Sequence, residues 1–336
     1  MNYVSVGDLA LTFQNRTQNV QVKSDLARLA QELASGQKSD LSTTTSGDFS
    51  PIVGLERSLL ANTAFSTSIA EAGMYATAMQ ISLEMVQTNS SELGPSLLTA
   101  SSSENQMLIQ VTTVDAKEKF EAVISAFNTQ VAGRYAFSGA STDTVALADA
   151  DTILSALQSA IASETTAVGV EAAIDTWFDS PGGGYETLGY TGSNNALAPF
   201  RLSDSDSVRV DLTAADDSIR SVLKGFAMAA LIGQGALLGS DNERTALTRT
   251  AGERLLGADS TLAVIRGAVG SGEARIENAA ARNIAEKSTL EIARNELTAV
   301  DPFRAATELE ALKTQLETLY TLTVRLSRLT LSEFLR

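Results

Sequence analysis

The chain has 336 residues, of which 44% are hydrophobic and 19% are charged. A chain of this length can form two or more domains around a substantial core. The composition excludes a wholly disordered polyanion and is unlike that of a membrane protein. Aromatic residues make up only 5%, so the core must consist mainly of Ala, Leu, Val and Ile. Five prolines leave room for very long helices, because proline disrupts helix interiors.

Two residue types are missing. The absence of histidine excludes histidine-based acid–base catalysis, a Ser-His-Asp triad and every histidine-ligated metal site. The absence of cysteine excludes thiol catalysis, disulfide bonds and cysteine-ligated metal centres. Chemistry based on carboxylates or lysine stays possible.

The net charge is −15, and the excess lies in the middle of the chain. Residues 140–220 contain 13 acidic and three basic residues, whereas residues 221–336 contain 14 of each. This balance argues against a nucleic-acid partner, since phosphate binding needs a concentrated positive surface. The longest apolar run, residues 226–232, is too short to span a bilayer. The N-terminal residues lack a basic and an apolar segment, so no cleavable signal peptide is expected.

The first predicted helix covers residues 8–35 and ends at Gly36, a typical C-cap residue. Its apolar positions step by four, three and four residues, which places them on one side of the helix. These positions form the N-terminal seam: Val22, Leu26, Leu29 and Leu33. A polar linker follows over residues 37–50, and further helices are predicted over residues 52–92 and 102–131.

The acidic middle has a mixed pattern. Residues 153–161 and 170–178 are typical of short amphipathic helices, and residues 187–191 and 208–212 of short strands. These elements predict a small, acidic, variable α+β domain inserted at residues 140–213.

Helices are predicted again from residue 216, with breaks at Gly94-Pro95 earlier in the chain and at residues 267–272 and Asp301-Pro302 here. The last segment repeats in alternating steps of three and four, a 3.5-residue period typical of a coiled coil. The leucines of this C-terminal seam are Leu309, Leu312, Leu316, Leu319 and Leu326. Leu322 lies off this row and gives the helix a second apolar edge.

These elements predict a mainly α protein, a rod of long helices with a small α+β domain inserted on the outside. The N- and C-terminal helices are expected to pair as a coiled coil beside a helical bundle. Three parts are predicted: residues 1–50 with 300–336 as the terminal coiled-coil helices and linker, residues 51–139 with 214–299 as the helical rod, and residues 140–213 as the inserted domain.

No catalytic, cofactor-binding or metal-binding residue is predicted. The pairs Asp149/Asp151 and Asp204/Asp206 lack the full spacing of a calcium loop, so they are interpreted as solvated carboxylates. Lys224 lies in a helical stretch and is interpreted as an ordinary solvated lysine.

Three segments carry motifs of a known family. Residues 33–38 read Leu-Ala-Ser-Gly-Gln-Lys and contain Ser35 and Gly36. Residues 133–139 read Gly-Arg-Tyr-Ala-Phe-Ser-Gly, and the matching positions are Gly133, Tyr135, Phe137 and Gly139. Residues 316–336 form a helical segment that closes with Phe334 and Leu335 before the final arginine.

These motifs resemble those of the flagellin superfamily, and within it those of the hook-associated proteins at the hook–filament junction. The first is similar to the Leu-Ser-Ser-Gly-x-Arg stretch that closes the first flagellin helix. The second is similar to the Gly-x-Tyr-x-Phe-x-Gly segment that junction proteins carry before their variable domain. The opening residues and residues 40–48 differ from those usual in filament flagellins, which favours the junction proteins.

The resemblance implies a non-enzymatic structural protein of the bacterial flagellum, exported through the flagellar type III apparatus and assembled outside the cell. The implied partners are a companion hook-associated protein, flagellin, further copies of the chain in a ring and an export chaperone. No nucleic acid, membrane or cofactor is implied. Two alternatives stay open: filament flagellin itself, which self-polymerises, and a cytoplasmic helical enzyme that uses carboxylates.

Overall fold

The computed structural model describes residues 6–42, 47–103 and 105–334, without the side chains of residues 6–9, 11–12 and 326–334. This part of the chain is mainly helical, with a small share of strand, as predicted. Its α-helices are α1 (Val6–Ser35), α2 (Ser50–Ser102), α3 (Gln106–Phe127), α4 (Ala150–Ile161), α5 (Ala167–Asp179), α6 (Asp217–Gly233), α7 (Asp241–Thr298) and α8 (Pro302–Phe334).

The strands are short and form two antiparallel pairs. The first pair joins β1 (Gln130–Val131) to β2 (Arg134–Tyr135), and the second joins β3 (Phe200–Arg201) to β4 (Ser207–Val208). One π-helical turn covers Tyr185–Gly189.

Two predicted helix breaks are wrong. Pro95 lies inside α2, and residues 267–272 lie inside α7. Leu93 and Leu97, on either side of the proline, are buried in the core. Packing of these side chains outweighs the local preference of proline, because helix propensity is a weak determinant next to tertiary contacts.

The predicted strands are wrong over most of their length. Residues 187–189 belong to the π-helical turn, which the buried Tyr185 anchors by donating its hydroxyl to the Ala214 carbonyl. In the second segment, Val208 pairs with Phe200 across the β3–β4 ladder, and residues 209–212 are irregular. In this second segment the alternating apolar residues, among them Val208 and Val210, are buried although most of the segment forms no strand.

The chain divides into two compact units, which are described separately. Unit 1 comprises residues 1–61 and 285–336, and unit 2 comprises residues 62–284. The segment 140–213 lies within unit 2, and its boundaries as an inserted domain stay a prediction.

In unit 1, α1 packs against α8, so the expected pairing of the N- and C-terminal helices is present. The helices run in opposite directions, since Gln37 bridges Ala299 while Lys23 lies over the ring of Tyr320.

In unit 2, α6 is buried on every side. All residues from Val222 to Ile232 are buried, and α3, α4 and α5 pack around the helix. Leu255 of α7 lies so close to Gly225 that a Cβ there would come within 2.8 Å of it. A helix that is apolar all round needs cover on each face. The longest apolar run of the sequence, residues 226–232, therefore lies at the centre of the core.

The acidic segment contributes to the same core. Ile153 and Leu157 of α4 and Ile174 and Phe178 of α5 are at most 1% exposed and belong to one hydrophobic cluster with α3, α6 and α7. Residues 150–179 are therefore part of the packing of unit 2 as well as part of its charged surface.

Ion pairs link this segment to α6 and α7. Arg254 of α7 contacts Glu171 and Asp175 of α5, each at 2.6 Å. Lys224 of α6 lies 3.0 Å from Asp175 and also pairs with Asp179. The interpretation of Lys224 as solvated is wrong, because its side chain is only 6% exposed. Burial raises the pKa of Asp175, but hydrogen bonds from Arg254 and Lys224 outweigh it and hold the pKa below its ordinary value.

We expect Asp175→Asn to lower the free energy of unfolding by about 1–3 kcal/mol at pH 7, because it leaves the buried Lys224 with one carboxylate partner. Urea denaturation of the full chain measures this loss. Since the folded pKa of Asp175 lies below the unfolded value, the stabilisation is present above the unfolded pKa and disappears as pH falls through the folded pKa. The difference between the two proteins should therefore shrink in acid.

Asp204→Asn is the control for this substitution, because the Asp204 side chain is 93% exposed and lies 3.9 Å from Arg201. Its expected cost is below about 0.5 kcal/mol. Equal losses for the two variants would contradict the role of Asp175 in linking α5 to α6 and α7.

Candidate assembly surface

The first family motif forms the turn after α1. Gly36 has a φ of 72°, and its N–H donates to the Glu32 carbonyl at 2.8 Å, as in a helix C-cap. The Ser35 hydroxyl accepts the N–H two residues later at 3.2 Å. Residues 36–38 then pair with residues 298–300 through backbone hydrogen bonds of 2.8 and 3.0 Å. The motif thus fixes where α1 meets the connection between α7 and α8.

Glu32 supports this turn from inside α1. The residue is 5% exposed, and its carboxylate accepts the N–H of Ser39 at 3.0 Å, the Ser39 hydroxyl at 2.5 Å and Arg28 at 3.2 Å. Burial raises the pKa of Glu32, but these hydrogen bonds together outweigh it and bring the pKa below its ordinary value. Sequence reasoning missed Glu32, because its main partner follows the glycine turn and helical spacing does not connect them.

We expect Glu32→Ala to speed amide hydrogen exchange over residues 36–40, corresponding to a loss of about 1–3 kcal/mol in local stability. The substitution leaves the Ser39 N–H and hydroxyl without their acceptor. Glu308→Ala is the control, because Glu308 is 47% exposed and pairs with Arg304 within the same helix. Its expected effect is below about 0.5 kcal/mol. Unchanged exchange in Glu32→Ala would contradict the proposed support of the turn.

The second motif begins in the β1–β2 hairpin. Ala132 and Gly133 have φ values of 50° and 79°, so they form the two-residue turn with positive φ at both positions that suits a tight hairpin. Helix α3 ends at Phe127 with Asn128 as its C-cap, earlier than the predicted residue 131. The Tyr135 N–H donates to the Thr142 carbonyl at 2.8 Å.

The end of the motif is embedded in the core of unit 2. Phe137 is fully buried and meets Phe127 edge-on, with ring centroids 5.2 Å apart. Gly139 has a φ of 62°, and a Cβ there would lie 2.4 Å from the Ser193 carbonyl oxygen and 2.6 Å from that of Asn195. Glycine is required here by both conformation and space.

We expect Gly139→Ala to destabilise the chain by about 3 kcal/mol or more, because it combines an unfavourable left-handed conformation with a backbone clash. Gly182→Ala measures the cost of the left-handed conformation without the clash, since Gly182 has a φ of 69° but open space around it. That control should cost about 1 kcal/mol. Thermal unfolding followed by circular dichroism measures both, and equal costs would contradict the steric argument.

The two predicted seams contribute unequally to the α1–α8 pair. The buried positions are Val22, Leu29 and Leu319; the partly buried ones are Leu26, Leu309, Leu312 and Leu316. Leu33 is 39% exposed. The side chains of Leu326 and Phe334, and all of Leu335, lie outside the described residues. A role of the seams in packing between subunits stays a prediction.

Apolar side chains on the same pair of helices remain uncovered in the single chain. Phe303, Leu322 and Val324 of α8 are 85%, 48% and 53% exposed, and Phe13 and Val20 of α1 are 74% and 62% exposed. Leu322 belongs to the second apolar edge predicted from the sequence. Val20, Leu322 and Val324 lie near the level at which Lys23 contacts Tyr320, and Phe303 lies near the other end of the pair. Neighbouring exposed apolar side chains are typical of an interaction surface.

The acidic candidates have structural partners. Asp149 caps α4 by accepting the Thr152 N–H at 2.9 Å, and Asp206 pairs with Arg275 at 3.0 Å and Arg282 at 3.2 Å. Among the described residues, no group of three or more acidic side chains is placed to hold a metal ion. Over the same residues, no helix is long and apolar enough to cross a membrane.

One family model and several solved structures are similar to parts of this chain. Residues 257–335 match the family model of the bacterial flagellin C-terminal helical region. The crystal structure of Bacillus cereus FlgL matches 72% of this chain and 100% of its own, with 16% identity and a TM-score of 0.52. A putative flagellar hook-associated protein from Vibrio parahaemolyticus matches 68% of this chain and 94% of its own, with 15% identity and a TM-score of 0.36. No curated protein sequence matches the chain.

The family match covers most of α7, from residue 257 onward, and all of α8, and therefore the C-terminal seam. The fold similarity extends over the full length of Bacillus cereus FlgL. The resemblance to the flagellin superfamily is confirmed over residues 257–335, which match the flagellin C-terminal helical region, and the fold is similar to that of Bacillus cereus FlgL.

Proposed function

We propose that this chain is a structural component of the bacterial flagellum that joins the hook-associated region to the flagellin filament. The observation that carries the proposal is the fold similarity over the whole length of Bacillus cereus FlgL. The match of residues 257–335 to the flagellin C-terminal helical region supports it independently.

The proposed mechanism is helical packing between subunits. Pairing of α1 with α8 buries Val22, Leu29 and Leu319 within one chain but leaves Phe303, Leu322 and other apolar side chains in solvent. Burial of such side chains against a neighbouring subunit would contribute about 25 cal/mol for each Å² of apolar surface removed from water. The stability of the assembly would then come from contacts that the single chain cannot make.

The partners that fit this role are a companion hook-associated protein on one side, flagellin on the other and copies of the chain in a ring. Export by the flagellar type III apparatus with a dedicated chaperone belongs to the same proposal. The protein would then act outside the cell, on the flagellum.

Filament flagellin is the second candidate, and the match to a flagellin C-terminal region favours it as well. The two differ in self-assembly, because filament subunits polymerise alone while a junction protein stays monomeric. A carboxylate-dependent enzyme gains no support from the described residues, where Glu171, Asp175 and Asp206 face arginine and lysine side chains.

A substitution at Leu322 tests the proposed surface without disturbing the pairing of α1 with α8 within the chain. Leu319 is buried in the α1–α8 pair, so an aspartate there would unfold the pair before any assembly defect could be seen. Leu322→Asp places a charge on the exposed edge and should reduce incorporation into the flagellum at least about tenfold. Secretion and monomer helicity should stay unchanged, because the substituted side chain is 48% exposed.

Thr318→Asp is the control, since Thr318 is an exposed position of the same helix and the variant introduces the same charge. Quantitative blotting of sheared flagella measures incorporation, and flagellin released into the medium reports failed junctions. Normal incorporation of Leu322→Asp would contradict the proposed surface. Immunogold labelling separates the functions: one band near the hook supports the junction role, a labelled filament supports flagellin, and no external label contradicts both.

A further inference from the structure

Helix α7 contains a cluster of three glycines, at residues 267, 270 and 272, that its packing does not require. A Cβ at Gly267 would meet nothing within 4 Å, one at Gly270 would lie 3.4 Å from the Gln80 amide nitrogen, and one at Gly272 would lie 3.8 Å from Val208. Alanine would fit at each position and would favour the helix several-fold over glycine. The glycines therefore weaken the helix locally without a steric reason.

In the same part of α7 no side chain is fully buried, and Ile265 and Val269 pack against the core only partly buried. Leu262 is 0% exposed and Ile276 is 5% exposed, but none of residues 263–275 between them is buried. N-terminal to this stretch, buried residues recur every three or four positions from Arg244 to Leu262. A helical segment with few buried contacts opens at a lower free energy than the segments beside it.

A cavity of about 400 Å³ lies against this segment. Its apolar walls come from both α7 and the opposite elements and include Val264, Ile265, Ala268, Val269, Met79 and Leu212. The space gives the glycine segment room to move without displacing packed side chains, which a close-packed interior would prevent.

Contacts on both sides hold the helix in register. Before the glycines, the Arg266 carbonyl accepts the Gln80 amide at 2.7 Å, and its guanidinium donates to Gln87 at 2.7 Å. After them, Glu273 accepts the Thr77 hydroxyl at 3.3 Å, and Arg275 lies 3.0 Å from Asp206. The flanks are held by hydrogen bonds and an ion pair, whereas the segment between them contacts the core through the partly buried Val269.

We infer that residues 267–272 form a hinge in α7, at which the helix bends over the adjacent cavity while its two flanks keep their contacts. Weak helix-forming residues, absent core burial and free space coincide at one place in a 58-residue helix. Bending at this hinge would bring the apolar walls of the cavity together. The inference concerns the single chain and does not depend on the proposed function.

Amide hydrogen exchange on the full chain tests the local weakness. Residues 266–276 should exchange at least about tenfold faster than residues 247–258, after correction for intrinsic rates. The double variant Gly267→Ala/Gly270→Ala should slow exchange in residues 266–276 about 25-fold, since each substitution favours the helical state about fivefold. Gly257→Ala is the matched control, because Gly257 lies in the same helix with open space around it. It should leave exchange in residues 266–276 unchanged.

Distance measurements test the bend itself. The chain has no cysteine, so spin labels can be placed at introduced cysteines alone. Ala263→Cys with Ala281→Cys spans the hinge, and Ala246→Cys with Val264→Cys spans the same number of residues in the well-packed part of α7. The distribution of distances between the two labels should be wider for the pair across the hinge than for the control pair. The distribution across the hinge should become narrower in the double alanine variant. Equal widths in the two pairs, or protection of residues 266–276 equal to that of residues 247–258, would overturn the inference.

Discussion

The burial of α6 is the constraint on which unit 2 depends. Because Val222 to Ile232 are all buried, the helix cannot face water on any side, and α3, α4 and α5 must cover it. Two of these covering helices come from the acidic segment. That segment is therefore bound to the core by apolar contacts, in addition to its charges.

The same constraint explains the ion pairs. Lys224 places a cation on the buried helix, and an unpaired charge there would carry a large desolvation cost. Asp175 and Asp179 of α5 supply the opposite charge, and Arg254 of α7 in turn pairs with Asp175 and Glu171. The excess of negative charge in the middle of the chain is thus partly matched by basic residues of the second half.

In unit 1, the apolar surface of the helices is only partly covered within the chain. Two paired helices can cover only one stripe of each other, so the α1–α8 pair leaves Phe303, Leu322 and Val20 in solvent. The apolar surface of α6 is covered by other helices of the same chain, whereas part of the apolar surface of α8 stays exposed. This contrast connects the fold to the proposed role, because a protein that packs between other subunits needs apolar surface that its own chain leaves free.

Glycines act in three ways in this structure, and only their surroundings distinguish them. Gly36 and Gly133 supply positive φ at turns, and Gly139 also leaves room for two carbonyl oxygens. Gly267, Gly270 and Gly272 of α7 satisfy neither need, since they lie in regular helix and a Cβ would fit at each. The predicted break at residues 267–272 was wrong as a break, yet it coincides with the proposed hinge.

The sequence by itself determined the helical class, the pairing of the terminal helices, the cap at Gly36 and the motifs that indicate the flagellin superfamily. It also excluded histidine and cysteine chemistry. These features depend on residue types and on spacings within one helix or turn, which a sequence displays directly. Tertiary structure decided the continuity of α2 through Pro95, the π-helical turn at residues 185–189, and the burial of Lys224 and Glu32. Local preferences of about 1–3 kcal/mol per residue yield to packing when the side chains on either side are buried. The partners of Lys224 and Asp175 lie tens of residues away along the chain, and only folding brings such charges together.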